Sequence, residues 1–122
     1  MANRRDRHQA HQAAVAALGK GLSRRARSLC ELCGERASLA VTEVPGGPEE
    51  PDEEWALLLC ERCRTLGDQP PQTLRFLETA MWSEVAPVQV TAVRALRALD
   101  VAWATEALDG LWLDEAMQER IG

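Results

Sequence analysis

The chain has 122 residues, of which 46% are apolar and 27% are charged, and its formal net charge is −5. This length predicts one domain, or one small domain with an appendage, and the apolar fraction is large enough for a real core. No apolar run of about 18 residues is present, which argues against a membrane-spanning helix and membrane contact. No signal-peptide pattern follows the basic start of the chain. We therefore expect a cytoplasmic protein whose thiols stay reduced and are free to bind metal.

The charge is unevenly distributed along the chain. Residues 1–27 hold seven basic side chains against Asp6 alone, a net charge of +6, so that the remaining residues carry −11. The basic side chains are Arg4, Arg5, Arg7, Lys20, Arg24, Arg25 and Arg27. Such an arm can contact the phosphates of a nucleic acid, pair with the acids of the body or stay solvated. The acidic body, in contrast, repels a phosphate backbone.

The N-terminal arm has the composition of short helices. We expect residues 1–8 to be frayed and polar, and the alanine-rich segment Gln9–Leu18 to form a helix. Ser23 is a candidate cap for a second helical turn over Arg24–Leu29. His8 and His11, three residues apart, could share a helix face, but we interpret them as surface histidines rather than metal ligands.

The four cysteines of the chain form two Cys-x-x-Cys pairs. They are Cys30, Cys33, Cys60 and Cys63. Each pair aims two thiolates at one point, and two pairs complete the tetrahedral shell that Zn²⁺ prefers. The pattern therefore predicts one structural zinc ion with no open coordination position. Four buried thiols, two disulfides or a redox pair are the alternatives, and four thiolates suit iron as well as zinc.

The residues between the two pairs predict a two-stranded hairpin. Residues 39–44 alternate between two faces, as a strand does, and the Pro- and Gly-rich segment 45–48 ends them. The acidic segment 49–54 is interpreted as a solvated loop. Residues 55–59 then form a second strand that leads directly into Cys60.

The sequence after the second pair changes to a helical pattern. Helices are predicted over residues 73–82, 88–99, 101–111 and, capped by Asp114, 114–120. The fold class is therefore α+β, a small Cys₄ zinc treble clef or ribbon with a hairpin, followed by three or four helices. We divide the chain into a basic N-terminal helical arm (1–23), a Cys₄ zinc-binding domain (24–67) and a helical domain packed on it (68–122).

Three tryptophans in the helical half are interpreted as packing anchors. Trp82, Trp103 and Trp112 occur at positions compatible with helical packing, and such rings bury large apolar areas. We expect Ser83 and Pro87 to start the helix that follows Trp82. Trp82 is then expected to pack the helical half onto the zinc half.

Two acidic residues are candidates for chemistry, Glu43 and Glu84. Glu84 has apolar neighbours, and burial would give it a raised pKa or a charged partner such as Arg75 or Arg94. A carboxylate with a raised pKa could act as a general base. The alternative, which we favour, places Glu84 in the first turn of a helix, where its charge suits the helix dipole.

The first half of the chain resembles a treble-clef zinc domain of the HNH type. The resemblance rests on Cys30–Gly34, on Val41–Pro45 and on the second pair, Cys60 and Cys63. Where such nucleases have an Asp-His or His-His pair, this chain has Thr42-Glu43, and no histidine follows His11. A one-metal nuclease needs a general base and ligands for its metal. We therefore expect a shared fold and no nuclease activity.

A second resemblance extends over residues 24–116. Met81–Val85 with Pro87–Val90 is its most distinctive part, and Leu32–Gly34, Glu43–Pro45 and Leu111–Glu115 follow the same pattern. These residues resemble the PhnA family, named after bacterial alkylphosphonate-utilisation operons. Longer members continue into a C-terminal β-rich domain that this sequence lacks. The resemblance implies a bacterial, cytoplasmic zinc-binding protein, with phosphonate metabolism as an operon association only.

These observations favour one function over another. The first hypothesis is a non-catalytic zinc protein that binds a partner, either a protein or a nucleic acid contacted through the basic arm. The second is an enzyme, a degenerate nuclease or a hydrolase of phosphorus compounds that uses Glu43 or Glu84. The absence of an evident catalytic base beside either carboxylate favours the first.

Overall fold

The computed structural model describes residues 3–122 and contains helices on both sides of a small hairpin. Two helices precede the hairpin, α1 (Arg4–Ala17) and α2 (Gly19–Ala26). The hairpin consists of β1 (Ala40–Glu43) and β2 (Ala56–Leu59), and the single turn α3 (Glu61–Arg64) follows it. The second half contains α4 (Leu77–Ala80), α5 (Ala86–Leu99), α6 (Ala102–Asp109) and α7 (Glu115–Ile121). Short 3₁₀ turns cover Glu53–Trp55, Leu66–Asp68 and Pro71–Thr73. The predicted α+β composition and the hairpin are confirmed.

The start of the chain is more ordered than the sequence suggested. The Asn3 side chain accepts a hydrogen bond from the Asp6 N–H, and Asp6 accepts one from the Asn3 N–H, which forms a capping box. The helix therefore begins at Arg4, and the expectation of a frayed segment is wrong for residues 4–8. Met1 and Ala2, the rest of that expectation, lie outside the described residues.

The second predicted helical turn is also placed differently. Helix α2 begins at Gly19 and ends at Ala26, so that Ser23 lies within the helix instead of capping it. The helix ends because Arg27 and Ser28 both adopt positive φ angles, of 56° and 58°. Leu22 gives the helix an apolar anchor and is fully buried, which outweighs the weak helix propensity of the two glycines.

The hairpin lies between two apolar layers. On one face, Leu58 and Ala56 pack against Leu22 of α2, and Leu18 and Val41 join them at the edge of this cluster. On the other face, residues of the hairpin contact the larger core, which includes the four cysteines and the second half of the chain. Because both faces are covered, all four residues of β2 are buried. This explains why β2 is continuously apolar instead of alternating.

The second half of the chain is arranged around α5. This helix packs against α4, α6 and α7. The Arg94 side chain on α5 donates hydrogen bonds to the carbonyls of Ile121, Arg120 and Pro45, at 2.9, 3.0 and 2.7 Å. Arg94 therefore joins the last helix and the loop after β1 to the same point on α5. None of the helices among residues 3–122 is long and apolar enough to cross a membrane.

The tryptophans do not pack as predicted. Trp82 and Trp112 are 54% and 80% exposed, so the expectation that they anchor the fold is wrong. Trp55 makes such a contact between the halves instead, and the Arg120 guanidinium lies over its ring, 4.2 Å from the centroid. Trp103 is half-buried and packs against the core, as expected. Spacing along a helix could not show which indole meets a partner from another element.

The start of α5 agrees with the prediction for Pro87 but not for Ser83 and Glu84, because α5 begins at Ala86 and no acidic residue lies in its first turn. Ser83 Oγ accepts a hydrogen bond from the Val85 N–H at 3.1 Å, and Pro87 lies in the first turn of the helix. The N-cap is Val85, however, so Ser83 stabilises the turn rather than the helix end itself. Glu84 is exposed in this turn.

A charged pair fixes α2 to the outer edge of β2. Both Glu31 carboxylate oxygens accept hydrogen bonds from Arg25, at 2.9 and 2.8 Å, and the Glu31 side chain is only 4% exposed. The Glu31 carboxylate also accepts the Leu58 N–H, while the Glu31 N–H donates to the Leu58 carbonyl, both at 2.9 Å. Arg25 donates further to the carbonyls of Glu53 and Ala56. The network therefore supplies partners for an edge of the sheet that is otherwise unpaired.

Replacing Arg25 should destabilise the fold strongly. We expect Arg25→Ala to lower the free energy of unfolding by about 3 kcal/mol, because it leaves the buried Glu31 carboxylate without its cation. Urea unfolding at constant metal content, followed by circular dichroism, measures this. The control is Arg24→Ala, which removes an exposed side chain next to it and should change stability by less than about 0.5 kcal/mol. Equal effects of the two variants would contradict the assignment.

Candidate functional site

The first pair of cysteines lies in a tight turn after α2. The Gly34 N–H donates to the Cys30 carbonyl at 2.9 Å, and the Cys30 N–H donates to the Glu35 carbonyl at 2.7 Å. These bonds curl the chain so that both thiols of the pair point to one side. Gly34 has a φ of 83°, a conformation that side chains other than glycine disfavour. Glycine is therefore the residue that closes this turn with least backbone strain.

The second pair is held at the start of a helix. Cys60 is the N-cap of α3, and Cys63 lies in its only turn. Because β2 leads directly into Cys60, the hairpin carries this pair across to the first one. Three of the cysteines are buried, and Cys33 is partly exposed.

The four thiol groups converge on one point. Their Sγ atoms all lie within 4.8 Å of one another, and those of Cys33 and Cys60 are 3.5 Å apart. A tetrahedral ion with metal–sulfur bonds of about 2.3 Å requires sulfur–sulfur separations of about 3.8 Å. The quartet therefore fits one metal ion without rearrangement of the backbone. Among residues 3–122 no other group of three or more His, Cys, Asp or Glu side chains converges in this way.

The protonation of the quartet is uneven. The Cys63 side chain hydrogen-bonds to Cys30 and lowers the pKa of the Cys30 thiol to about 4, although burial opposes this. The same hydrogen bond, together with burial, raises the pKa of Cys63. Burial raises the pKa of Cys60 as well. Negative charge therefore concentrates on one sulfur, and a central cation would favour deprotonation of the others.

A cation lies beside the exposed side of the quartet. A hydrogen bond to the Cys33 side chain raises the pKa of the Arg62 guanidinium, and Cys60 and Cys63 act in the same direction. The guanidinium also lies over the Phe76 ring, 5.0 Å from its centroid. Phe76 thus holds Arg62 where it can offset part of the charge of a four-thiolate site.

The arrangement does not match two of the alternative interpretations of the cysteines, a pair of disulfides and a redox pair. All four are free, and the 3.5 Å separation of Cys33 and Cys60 exceeds the disulfide length of about 2.0 Å. The sheet within the described residues has only two strands, which are antiparallel. A thioredoxin-like redox pair belongs in a βαβ unit, which a sheet of this kind does not provide.

A second group of side chains lies in a cleft between α1 and β1. His11 Nε2 is 2.9 Å from Glu43 Oε2, although 32 residues separate the two in sequence. The cleft has a volume of about 710 Å³, and His8 and Arg64 also line it. The sequence analysis assigned no partner to His11. No local sequence pattern could have shown the contact with Glu43, since it depends on how α1 packs on the hairpin. Glu84 is exposed elsewhere and forms no pair with Arg75 or Arg94.

Comparisons with known proteins return no match: no protein-family model, no curated protein and no solved structure is similar to the chain. The resemblances to the PhnA family and to HNH-type domains therefore stay predictions. The geometry of the site has to carry the functional argument.

Substituting the glycine of the first turn should loosen the quartet. We expect Gly34→Ala to lower the free energy of unfolding by about 1–2 kcal/mol, the cost of a left-handed conformation for a residue with a side chain. No atom lies within 4 Å of the new methyl group, so the effect should come from the backbone alone. Gly67→Ala is the matched control, because that glycine has equal space and no positive φ. Urea unfolding of both variants measures the difference, and equal stabilities would contradict the role of Gly34.

Proposed function

We propose that Cys30, Cys33, Cys60 and Cys63 hold one zinc ion whose role is structural. The convergence of four sulfur atoms within 4.8 Å is the observation that carries the proposal. Zinc is favoured over other ions because it accepts four thiolates in a tetrahedron without a redox cost. When bound, the ion would link the two turns and supply folding free energy of about 10 kcal/mol or more.

The architecture around this ion is proposed to be a treble clef or ribbon of the PhnA type. A turn with a first pair, a hairpin, and a second pair at the start of a helix follow in the order that this fold requires. The resemblance of Met81–Val90 to the PhnA family adds support that is independent of the cysteines. Cytoplasmic placement is part of the proposal, since thiols stay reduced there.

The protein is proposed to act by binding a partner rather than by catalysis at the metal. Four cysteine ligands leave no coordination position for water or substrate, so such an ion stabilises a surface and does not react. The exposed cations of the arm, Arg4, Arg5, Arg7, Lys20, Arg24 and Arg27, support contact with an anionic partner, either a protein or a nucleic acid. Arg25 is not available for this, because Glu31 binds it.

Metal analysis tests the structural zinc directly. Protein purified without added metal should contain one zinc per chain by mass spectrometry, with four thiols reactive only after chelation. Cys33→Ser should lose most of the zinc, because a neutral hydroxyl replaces a thiolate ligand. Glu61→Ala, within the second pair but exposed, is the control and should keep its zinc. Metal-free protein with four reactive thiols would overturn the proposal.

A hydrolase is the second candidate, and one observation favours it. His11 is bound to Glu43 in a cleft of about 710 Å³. A carboxylate that orients an imidazole is a common arrangement for a general base. His11 and Glu43 together supply the general base that the HNH-like segment does not contain itself. The substrate class implied by the resemblance to HNH-type domains is a phosphorus ester.

An assay with bis(p-nitrophenyl) phosphate tests the hydrolase. Catalysis by the pair predicts hydrolysis above the buffer blank that falls about 100-fold in His11→Gln, the scale of general base catalysis. His8→Gln is the control, since His8 lines the same cleft without a bond to Glu43. No hydrolysis, or the same rate in wild type and His11→Gln, would exclude the enzyme and leave partner binding as the function.

A further inference from the structure

The two edges of the hairpin differ in their main-chain hydrogen bonds. The Val44 N–H donates to the Trp55 carbonyl at 2.8 Å, and the strands pair Thr42 with Leu57 and Ala40 with Leu59. Antiparallel strands alternate bonded and non-bonded pairs, so these even-numbered residues of β1 bond inward to β2. The odd-numbered residues of β1 and the even-numbered residues of β2 therefore present their main-chain groups to the outer edges.

The outer edge of β2 is largely occupied. Leu58 exchanges hydrogen bonds with Glu31 through its N–H and its carbonyl, and the Ala56 carbonyl accepts from Arg25. These contacts confirm that the even-numbered residues of β2 point main-chain groups to the outer edge. They also leave that edge closed to any further strand.

The outer edge of β1 is open. By the alternation, Val41 and Glu43 point their N–H and carbonyl groups away from β2. Within residues 3–122, none of these four groups takes part in a hydrogen bond. An edge of this kind is a template for another strand, and natural proteins usually block it.

The cleft between α1 and β1 runs along this open edge. Its lining includes Val41 and Glu43, and also Thr42, whose side chain points to the opposite face of the sheet. A cavity bordered by three successive residues of a strand follows the edge of that strand rather than one face. Its volume of about 710 Å³ is within the range of pockets that enclose ligands.

The residues that line the cleft indicate which side chains a bound segment should have. Val15 and Val41 supply apolar surface, while His8, His11 and Arg64 supply positive or polar groups. The one carboxylate in the lining, Glu43, is already bonded to His11. The cleft therefore favours a segment with an apolar residue flanked by carboxylates.

We propose that this cleft binds an extended peptide with alternating apolar and acidic residues, which adds a third strand to the open edge of β1. The proposal rests on the proposed function, partner binding, and names the chemistry of the partner. Main-chain hydrogen bonds to Val41 and Glu43 supply recognition of the backbone, and the cleft selects alternate side chains. A nucleic acid uses the same cations but has no strand backbone to pair with the edge.

Nuclear magnetic resonance of the zinc-loaded full chain tests the added strand. The probe is the capped peptide acetyl-Asp-Val-Asp-Val-Asp-amide, titrated to about 5 mM, since a few hydrogen bonds give binding near the millimolar range. We expect the amide resonances of Val41 and Glu43 to shift downfield and to gain protection from exchange. Those of Ala40 and Thr42, already bonded to β2, should change little.

Two peptide controls separate backbone pairing from charge. N-methylation of the aspartates removes one alternating set of N–H donors, and N-methylation of the valines removes the other. Strand addition requires that one of these peptides lose binding and that the other keep it. The peptide acetyl-Lys-Val-Lys-Val-Lys-amide should bind more weakly than the acidic one, because Arg64 repels it.

A matched pair of variants tests the edge from the protein side. Glu43→Pro removes an outward N–H without removing a bond to β2, and Glu43→Ala removes the same carboxylate but keeps the N–H. We expect the proline variant to bind the peptide about fivefold more weakly than the alanine variant, the effect of one main-chain hydrogen bond. If the proline variant does not fold, the methylated peptides still test the added strand, because they are measured with the unmodified protein.

Three results of the peptide experiments would overturn the proposal. They are equal binding of both methylated peptides, equal affinity of the proline and alanine variants, and the absence of selective shifts at Val41 and Glu43. Shifts at these amides caused by a single-stranded oligothymidylate, and not by the peptide, would also overturn it in favour of a nucleic acid. Zinc content, measured on the same sample, reports the structural clamp independently, so failure of the cleft and failure of the clamp are distinguishable.

Discussion

The fold depends on the buried strand β2, whose two faces need apolar cover and whose main-chain groups need hydrogen-bond partners. All four residues of β2 are buried, so apolar groups must cover both faces, and its main-chain groups need partners at both edges. One edge pairs with β1, and the other is completed by Glu31 and Arg25. The carboxylate of Glu31 can be buried because a guanidinium and a main-chain N–H bind it together. The turn that contains the first two cysteines is thereby fixed to the strand that leads to the other two.

This arrangement gives the cysteine quartet a role in the whole core. Cys30, Cys60 and Cys63 belong to the same buried cluster as Leu77, Val90 and other residues of the second half. A metal ion at this point would join the turn, the hairpin and α3 in the place where the helical half packs. Loss of the ion would therefore affect the helices as well as the loops that hold the ligands.

The hairpin also separates a closed side of the molecule from an open one. The groups that bind the outer edge of β2 come from the cysteine turn and α2, and they occupy the main-chain N–H and carbonyl of Leu58 and the carbonyl of Ala56. On the side of β1, helix α1 forms a cleft instead of a cover, and His11 and Glu43 meet within it. The cysteine quartet and the cleft are thus on different parts of one small sheet, so the first could be rigid while the second stays accessible.

The sequence by itself determined the features that depend on local chemistry. Cysteine spacing indicated a shared site, alternation and a Pro-Gly segment indicated the hairpin, and Asp114 was recognised as the cap of α7. Only the tertiary structure decided which distant groups meet: Arg25 with Glu31, His11 with Glu43, and Arg120 with Trp55. Only the tertiary structure also decided that Trp82, which the sequence predicted to be a packing anchor, is exposed. Residue type and spacing limit what a side chain can bind, but its actual partner depends on how separate helices pack on the hairpin, and no local pattern encodes that.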